Sequence, residues 1–191
     1  MSEHMAAEIR IGGNVPASLV PDLCTVIASQ GVSLEWGDGR FHPSTPEDLI
    51  GACDDRGDGV RLLWLCDDQA RWGEFERLEQ FLREHGIAYT RQSAGQYEYD
   101  PETVDFRPGH GMVSQVTNAA GQPVVAASEL APLEALLSAA LALSENGSAV
   151  DCWSLVKTAG RLLREQLPRD LPPLEPLEIE RVEDQEEVDG Q

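Results

Sequence analysis

Apolar and polar residues alternate from Ala7 to Ile11, the two-residue period of a half-buried strand, and Gly12-Gly13-Asn14 ends the pattern. Ser18 is then placed to cap a helix on which Leu19, Leu23, Val26 and Ile27 share one face, with Gly31 as its stop. Val32 to Trp36 reads as a short strand. Residues 37–59 are rich in Gly, Pro and Asp and form a long connection, with one short helical stretch, Glu47 to Ala52, after Pro46. Val60 to Cys66 is the most apolar run of the first half and reads as a central strand buried on both faces. Asp67 and Asp68 offer N-capping carboxylates to a helix whose Trp72, Phe75, Leu78 and Leu82 make one stripe and which Gly86 closes; Ile87 to Arg91 returns as a strand.

The order strand, helix, strand, long loop, strand, helix, strand is that of a split β-α-β, or ferredoxin-like, sandwich. Tyr97 to Phe106, around Asp100-Pro101, reads as a hairpin or an added edge pair, and Met112 to Thr117 with Pro123 to Ala126, around Asn118-Ala119-Ala120-Gly121, as two more strands. From Ser128 the period changes. Leu130, Leu133, Leu137, Ala140 and Leu141 mark one helix, and Trp153, Val156, Gly160, Leu163 and Leu167 a second; the short loop Asn146-Gly147-Ser148 predicts an antiparallel helical hairpin. That loop is also a glycosylation sequon, which has no force without an export signal. Beyond Pro168, residues 169–191 hold nine Asp and Glu against two Arg, a net charge of −7. The expected class is therefore α+β: an extended ferredoxin-like sandwich over 1–126 with the long loop 37–59, a helical hairpin over 127–168, and an acidic, flexible tail over 169–191. So polar a tail should contribute almost nothing to stability.

Charge narrows the function. Thirty-four acidic against fourteen basic residues give −20 overall, which disfavours direct nucleic-acid binding. Lys157 is the only lysine. No unbroken apolar run of bilayer length is present, and Met1-Ser2-Glu3-His4-Met5 lacks the character of a signal peptide, so the sequence reads as cytoplasmic, with no membrane contact. Cys24, Cys53, Cys66 and Cys152 are too widely spaced for a metal site and read as packed, reduced thiols.

Candidate chemistry is sparse. Cys53-Asp54-Asp55 and Cys66-Asp67-Asp68 pair carboxylates that could hold a cation, but neighbouring strand residues face opposite ways. Asp54 to Gly59 lacks the ligand spacing and final Glu of a calcium loop, and Arg56-Gly57-Asp58 is too short a match to mean adhesion. His110, between glycines, is presented by a loop, while His85 sits at a helix end and His42 has no nucleophile beside it. Trp36, Phe41, Tyr97 and Tyr99 could form a stacking platform, yet Glu35, Asp38, Glu98 and Asp100 surround them where RNA binding needs basic flanks. No dinucleotide or phosphate-loop fingerprint occurs, so no cofactor is assigned. The sequence points to a non-catalytic binding or regulatory protein that recognises a basic protein surface, with nucleic-acid mimicry as one version. Its expected contact residues are Asp67, Asp68 and, on the outer side of the second helix, Glu74, Glu76 and Glu79. The alternative is a small-molecule sensor or enzyme whose pocket joins Asp67-Asp68 to the His110 loop.

Overall fold

The computed structural model describes residues 3–57, 59–96, 99–118, 120–145, 149–167 and 171–180. The chain divides into a body, residues 1–114 with 171–191, and a second unit, residues 115–170.

In the body, strand β1 (His4–Val15) buries Met5, Ala7, Ile9 and Ile11 on one face, as the alternation requires. Helix α1 (Val20–Gln30) buries Val20, Leu23, Cys24 and Ile27, the i, i+3, i+4, i+7 set, and stops at Gly31, whose φ of 79° needs a residue without a Cβ. Ser18 does not cap it: Ser18 lies in a 3-10 turn, and Leu19 takes the cap position with no side-chain bond. The expected strand at Val32 to Trp36 reduces to a single bridge between Ser33 and Cys66. Helix α2 (Pro46–Gly51) begins where Pro46 predicts. Thr45 Oγ1 accepts from the Asp48 amide and Asp48 Oδ2 accepts from the Thr45 amide, a reciprocal capping box.

Strands β2 (Cys53–Asp54) and β3 (Leu62–Arg71), helix α3 (Glu76–Glu84), and strands β4 (Ala88–Ser93), β5 (Glu102–Arg107) and β6 (Gly111–Val116) complete the first part of the chain. The sheet runs β2-β3-β1-β4-β5-β6. The pairs β2·β3, β3·β1, β1·β4 and β4·β5 are all antiparallel. Helices α1 and α3 pack on each other, and Ile9, Ile11, Leu63 and Leu65 of the sheet join Leu23, Ile27, Leu78 and Leu82 of the helices in one core. Each such side chain removed from water contributes about 1.5–3 kcal/mol.

Over Leu62 to Cys66 strand β3 is buried on both faces apart from a half-exposed Trp64: Leu63 and Leu65 point into the core, and Leu62 and Cys66, on the Trp64 side, are 2% and 6% exposed. One expectation about β3 needs correction: it does not stop before the paired aspartates. It runs on to Arg71, and Met5-Ala6-Ala7 of β1 opposes Asp67-Asp68-Gln69-Ala70, which inserts one extra residue as a β-bulge. Asp67 Oδ1 accepts from the Gln69 amide at 2.9 Å, so this carboxylate caps the bulge rather than a helix.

The segment after Pro168 also departs from expectation. Residues 171–180 dock on the body, where β7 (Leu177–Ile179) pairs parallel with Gly13–Val15 of β1. The Gly13 amide reaches the carbonyls of Glu175 (3.0 Å) and Pro176 (3.1 Å), the Leu177 amide donates to the Arg61 carbonyl (3.0 Å), and Glu180 N donates to Val15 O (3.0 Å). Arg107 Nε donates to the Pro172 carbonyl at 2.8 Å. Leu177 is 5% exposed and belongs to the core. The approach depends on Gly12, because a Cβ there would lie 2.2 Å from the Glu175 carbonyl oxygen. Residues 181–191, the rest of the expected tail, lie outside the described residues.

In the second unit Asn118 organises a turn, its Oδ1 accepting from the amides of Ala120 and Gln122, and Thr117 bridges Pro123 where a further strand was expected. Helices α4 (Ala127–Glu145) and α5 (Ala149–Gln166) pack against each other, with Leu133, Ala140 and Ala159 buried. The Asn146-Gly147-Ser148 loop lies outside the described residues. Although Glu129 and Glu134 interrupt its apolar residues, so that they form no unbroken run, α4 is long and apolar enough to cross a membrane by length and composition.

Candidate functional site

The most strongly built feature of the body is a charged network under the turn from β3 to α3. Arg91 of β4 is 3% exposed and Glu79 of α3 is 5% exposed. Glu79 therefore does not belong to the outer acidic side of its helix; it sits four residues from Phe75, whose amide it accepts through Oε1 at 3.0 Å. Arg91 Nε lies 3.1 Å from Glu79 Oε1, Arg91 Nη2 donates to Glu102 Oε2 of β5 (2.6 Å), and Arg91 Nη1 donates to the Gly73 carbonyl (2.9 Å). Tyr89 Oη donates to Glu79 Oε2 (3.2 Å) and accepts from Arg83 Nη1 (2.8 Å). Burial raises the Glu102 carboxyl, but hydrogen bonds from Ser114 and Arg91 and the Arg91 charge outweigh it, so its pKa is lowered overall.

This network positions an unusual turn. Trp72 is the only non-glycine among the described residues with positive φ, 60°, and Gly73 follows at 68°. The Gly73 amide bonds the Ala70 carbonyl and Trp72 N bonds Glu3 O. Trp72 is 38% exposed and meets Tyr99 edge-on, ring centroids 5.7 Å apart. Glu74 and Glu76 are exposed beside it and share a cavity of about 490 Å³ with Arg71, Arg77 and Gln30. Partial burial of the Glu74 carboxyl raises its pKa, with Glu79, Glu102 and Glu76 adding to the rise and Arg91 opposing it.

Along the outer edge of β3 the carboxylates gather. β2 pairs only with Leu62 and Leu63, Ser33 bridges Cys66, and no strand of the described residues pairs with Asp67 to Arg71 on the side away from β1. Asp68 is exposed and Asp67 half-buried on that edge. Burial pushes the Cys66 thiol up to about 11, and the nearby carboxylates of Asp68, Glu35 and Glu8 push it the same way while Arg56 opposes. Arg56 is the cation inside this acidic group: it bonds Glu35 at 2.8 Å, pairs with Asp54 at 3.7 Å, and lies 4.6 Å from the Trp64 ring centroid. Arg10 covers the same ring at 5.0 Å. The sequence reading does not mark Glu8, and it gives no sign that Glu35, Asp54 and Arg56 join Asp67 and Asp68. Glu8 could have been found from its outward position in the β1 alternation, whereas Glu35 and Arg56 come from a loop with no period to place them.

The alternative site does not assemble. His110 is exposed and lines a cavity of about 380 Å³ with Asn14, Arg107, Pro172, Pro173 and Glu175, against the Gly13 end of β1. Asp67 stands opposite Ala7. Six residues of strand separate Ala7 from Gly13, roughly 20 Å. The stacking platform does not form either: Phe41 packs against the core and Tyr99 meets Trp72, while Tyr97 lies outside the described residues, as does Asp58 of Arg56-Gly57-Asp58. A larger groove, about 1000 Å³, runs between α2 and β7 and includes Ile50, Cys53, Arg61 and Ile179. Arg61 Nη2 there donates to the carbonyls of Ile50 and Cys53, both at 3.1 Å, and burial pushes the Cys53 thiol up to about 11, which removes its nucleophilicity at neutral pH. Among the described residues no cluster of three or more His, Cys, Asp or Glu side chains is arranged to hold a metal ion.

Comparison of the chain with protein-family models, with curated proteins and with solved structures finds no match in any of the three.

Proposed function

We propose that the chain is a non-catalytic binding protein whose body, a ferredoxin-like sandwich, recognises a basic protein surface through the outer edge of β3. The topology supports the first part: β1-α1-β2-β3-α3-β4, with α2 inserted before β2, gives the antiparallel order β4-β1-β3-β2 with α1 and α3 packed together. A single observation carries the second part. Asp67 and Asp68 sit in a bulge on a stretch of β3 that pairs with β1 on one side and with no strand of the described residues on the other, with Glu8, Glu35 and Asp54 beside them and Glu74 and Glu76 just past the strand's end. Carboxylates on an open edge also deter pairing with other strands. Their number goes beyond that need, and a field of one sign steers an oppositely charged partner.

A phosphate-binding groove of a nucleic-acid-binding protein is one such partner, since it presents Lys and Arg in a row. Affinity capture from native lysate at low salt tests this reading. A captured partner should elute as ionic strength rises and be competed by duplex DNA, because DNA occupies the same basic side chains. A partner that stays bound in high salt and ignores DNA would contradict it.

A further inference from the structure

We infer that the α4–α5 hairpin associates with the hairpin of a second copy of this chain to form a four-helix bundle, a surface separate from the acidic edge of the body. Each helix carries two apolar stripes, and packing within the hairpin uses one of them. On α4, Leu133 and Ala140 are buried with Leu136 half-buried, whereas Leu130, Leu137 and Leu141 are exposed; at 100° per residue the exposed set lies about 100° around the helix from the buried one. On α5, Ala159 is buried and Cys152 and Leu162 half-buried, whereas Trp153, Leu163 and Leu167 are exposed on a stripe displaced by a similar angle. A helix with adjacent apolar stripes has two neighbours in a bundle, and a hairpin supplies only one.

Charge selects the second neighbour. Glu134 and Glu145 flank the exposed stripe of α4, and no basic residue lies on that helix. Lys157, Arg161 and Arg164, at i, i+4 and i+7, flank the exposed stripe of α5. Setting α4 of one copy against α5 of the other places an acidic rim beside a basic one on both sides of a twofold axis. Arg164 Nε bonds only its own helix's Gly160 carbonyl (3.1 Å), and Arg161 reaches Glu165 at 4.0 Å, so both are available for such pairing. Residues 115–170 hold four basic against six acidic residues, so this unit carries only −2 of the −20 and two copies meet here with little repulsion. The five charged residues of α5 make the hairpin a poor lipid partner despite the apolar character of α4.

The test is the mass of the full chain by sedimentation equilibrium up to about 100 μM, a range in which mass action populates a moderately weak dimer. Wild type should approach twice 20.9 kDa, and Leu137→Glu and Leu163→Glu should each return it to the single-chain mass with helical circular dichroism retained. Should either charged variant lose helix, Leu141→Ala and Leu163→Ala serve instead, each raising the dimer dissociation constant at least tenfold. A wild-type chain that stays at its single-chain mass, including one that instead partitions onto lipid vesicles, overturns the proposal. So does a dimer that all four substitutions leave intact, because its contact would then lie elsewhere.

Discussion

Arg91→Met should lower the unfolding free energy by about 3–5 kcal/mol, because it strands the Glu79 carboxylate in the core without its buried partner. The geometry leaves Glu79 little alternative. Its side chain is 6% exposed, Arg83 reaches it at 3.5 Å from a position 36% exposed, and Tyr89 supplies one hydrogen bond. Since small domains are stable by only about 5–15 kcal/mol, the loss is a large part of the total. Removing both charges in Glu79→Leu/Arg91→Met should cost less than Arg91→Met alone, because the deeply buried Glu79 charge is then gone and only Glu102, 36% exposed and still bonded by Ser114, loses its cation. Urea denaturation of the three proteins measures the difference, and a double variant weaker than the single would show that the network is held by something other than charge compensation.

Ending the chain at Asp170 should cost about 3 kcal/mol, from the burial of Leu177 and from the main-chain bonds that fix the strap to Gly13, Val15 and Arg61. Gly12→Val opposes the docking with the chain intact, its Cβ meeting Leu62 Cδ2 at 2.7 Å as well as the strap. The strap is then still present, but the new Cβ occupies the position 2.2 Å from the Glu175 oxygen. Both variants should melt several degrees below wild type. Unchanged melting of both would return residues 171–180 to the free tail that composition suggests.

Tyr89 adds a pH signature. Burial first, then the Glu79 charge, raises its hydroxyl from about 10 to about 12. The contribution is complete below the unfolded value near 10 and is lost as pH climbs through about 12; it amounts to about 2.7 kcal/mol in full, about 2 kcal/mol of it between pH 10 and 12. Tyr89→Phe should lack this loss between pH 10 and 12 in urea denaturation.

These cases show where the amino-acid order suffices. Local patterns place α1 with its Gly31 stop, the short helix after Pro46, the paired helices at the end, and the apolar run of β3, because each depends on residues within a turn or two of one another. Glu79 does not follow from its neighbours: it stands on the same turns as Glu76 and Arg83, and Arg91 and Tyr89, on the next strand, hold it inward. Asp67 and Asp68 have the right spacing for a cap, yet the helix starts later, and a bulge against β1 takes up the Asp67 carboxylate. The strap is hidden by its composition. Its alternation, Leu177 and Ile179 around Glu178, is too short to stand out within an acidic stretch, and its partner strand lies more than 160 residues away. The acidic edge is readable in part, from Asp67 and Asp68, while Glu35 and Arg56 join it from loops.

Recognition through the β3 edge requires that charge at one place, rather than charge in general, binds the partner. The decisive measurement compares two variants of equal net charge, Asp67→Lys/Asp68→Lys on the edge of β3 and Asp22→Lys/Glu84→Lys on the exposed faces of α1 and α3, for affinity toward the partner captured at low salt. Both sets of side chains lie outside the core, so both proteins should fold. Reversal at the edge should weaken binding at least a hundredfold, about 2.7 kcal/mol, and reversal on the helices by severalfold at most. Equal losses, or an edge variant that binds as wild type does, would contradict recognition through the β3 edge.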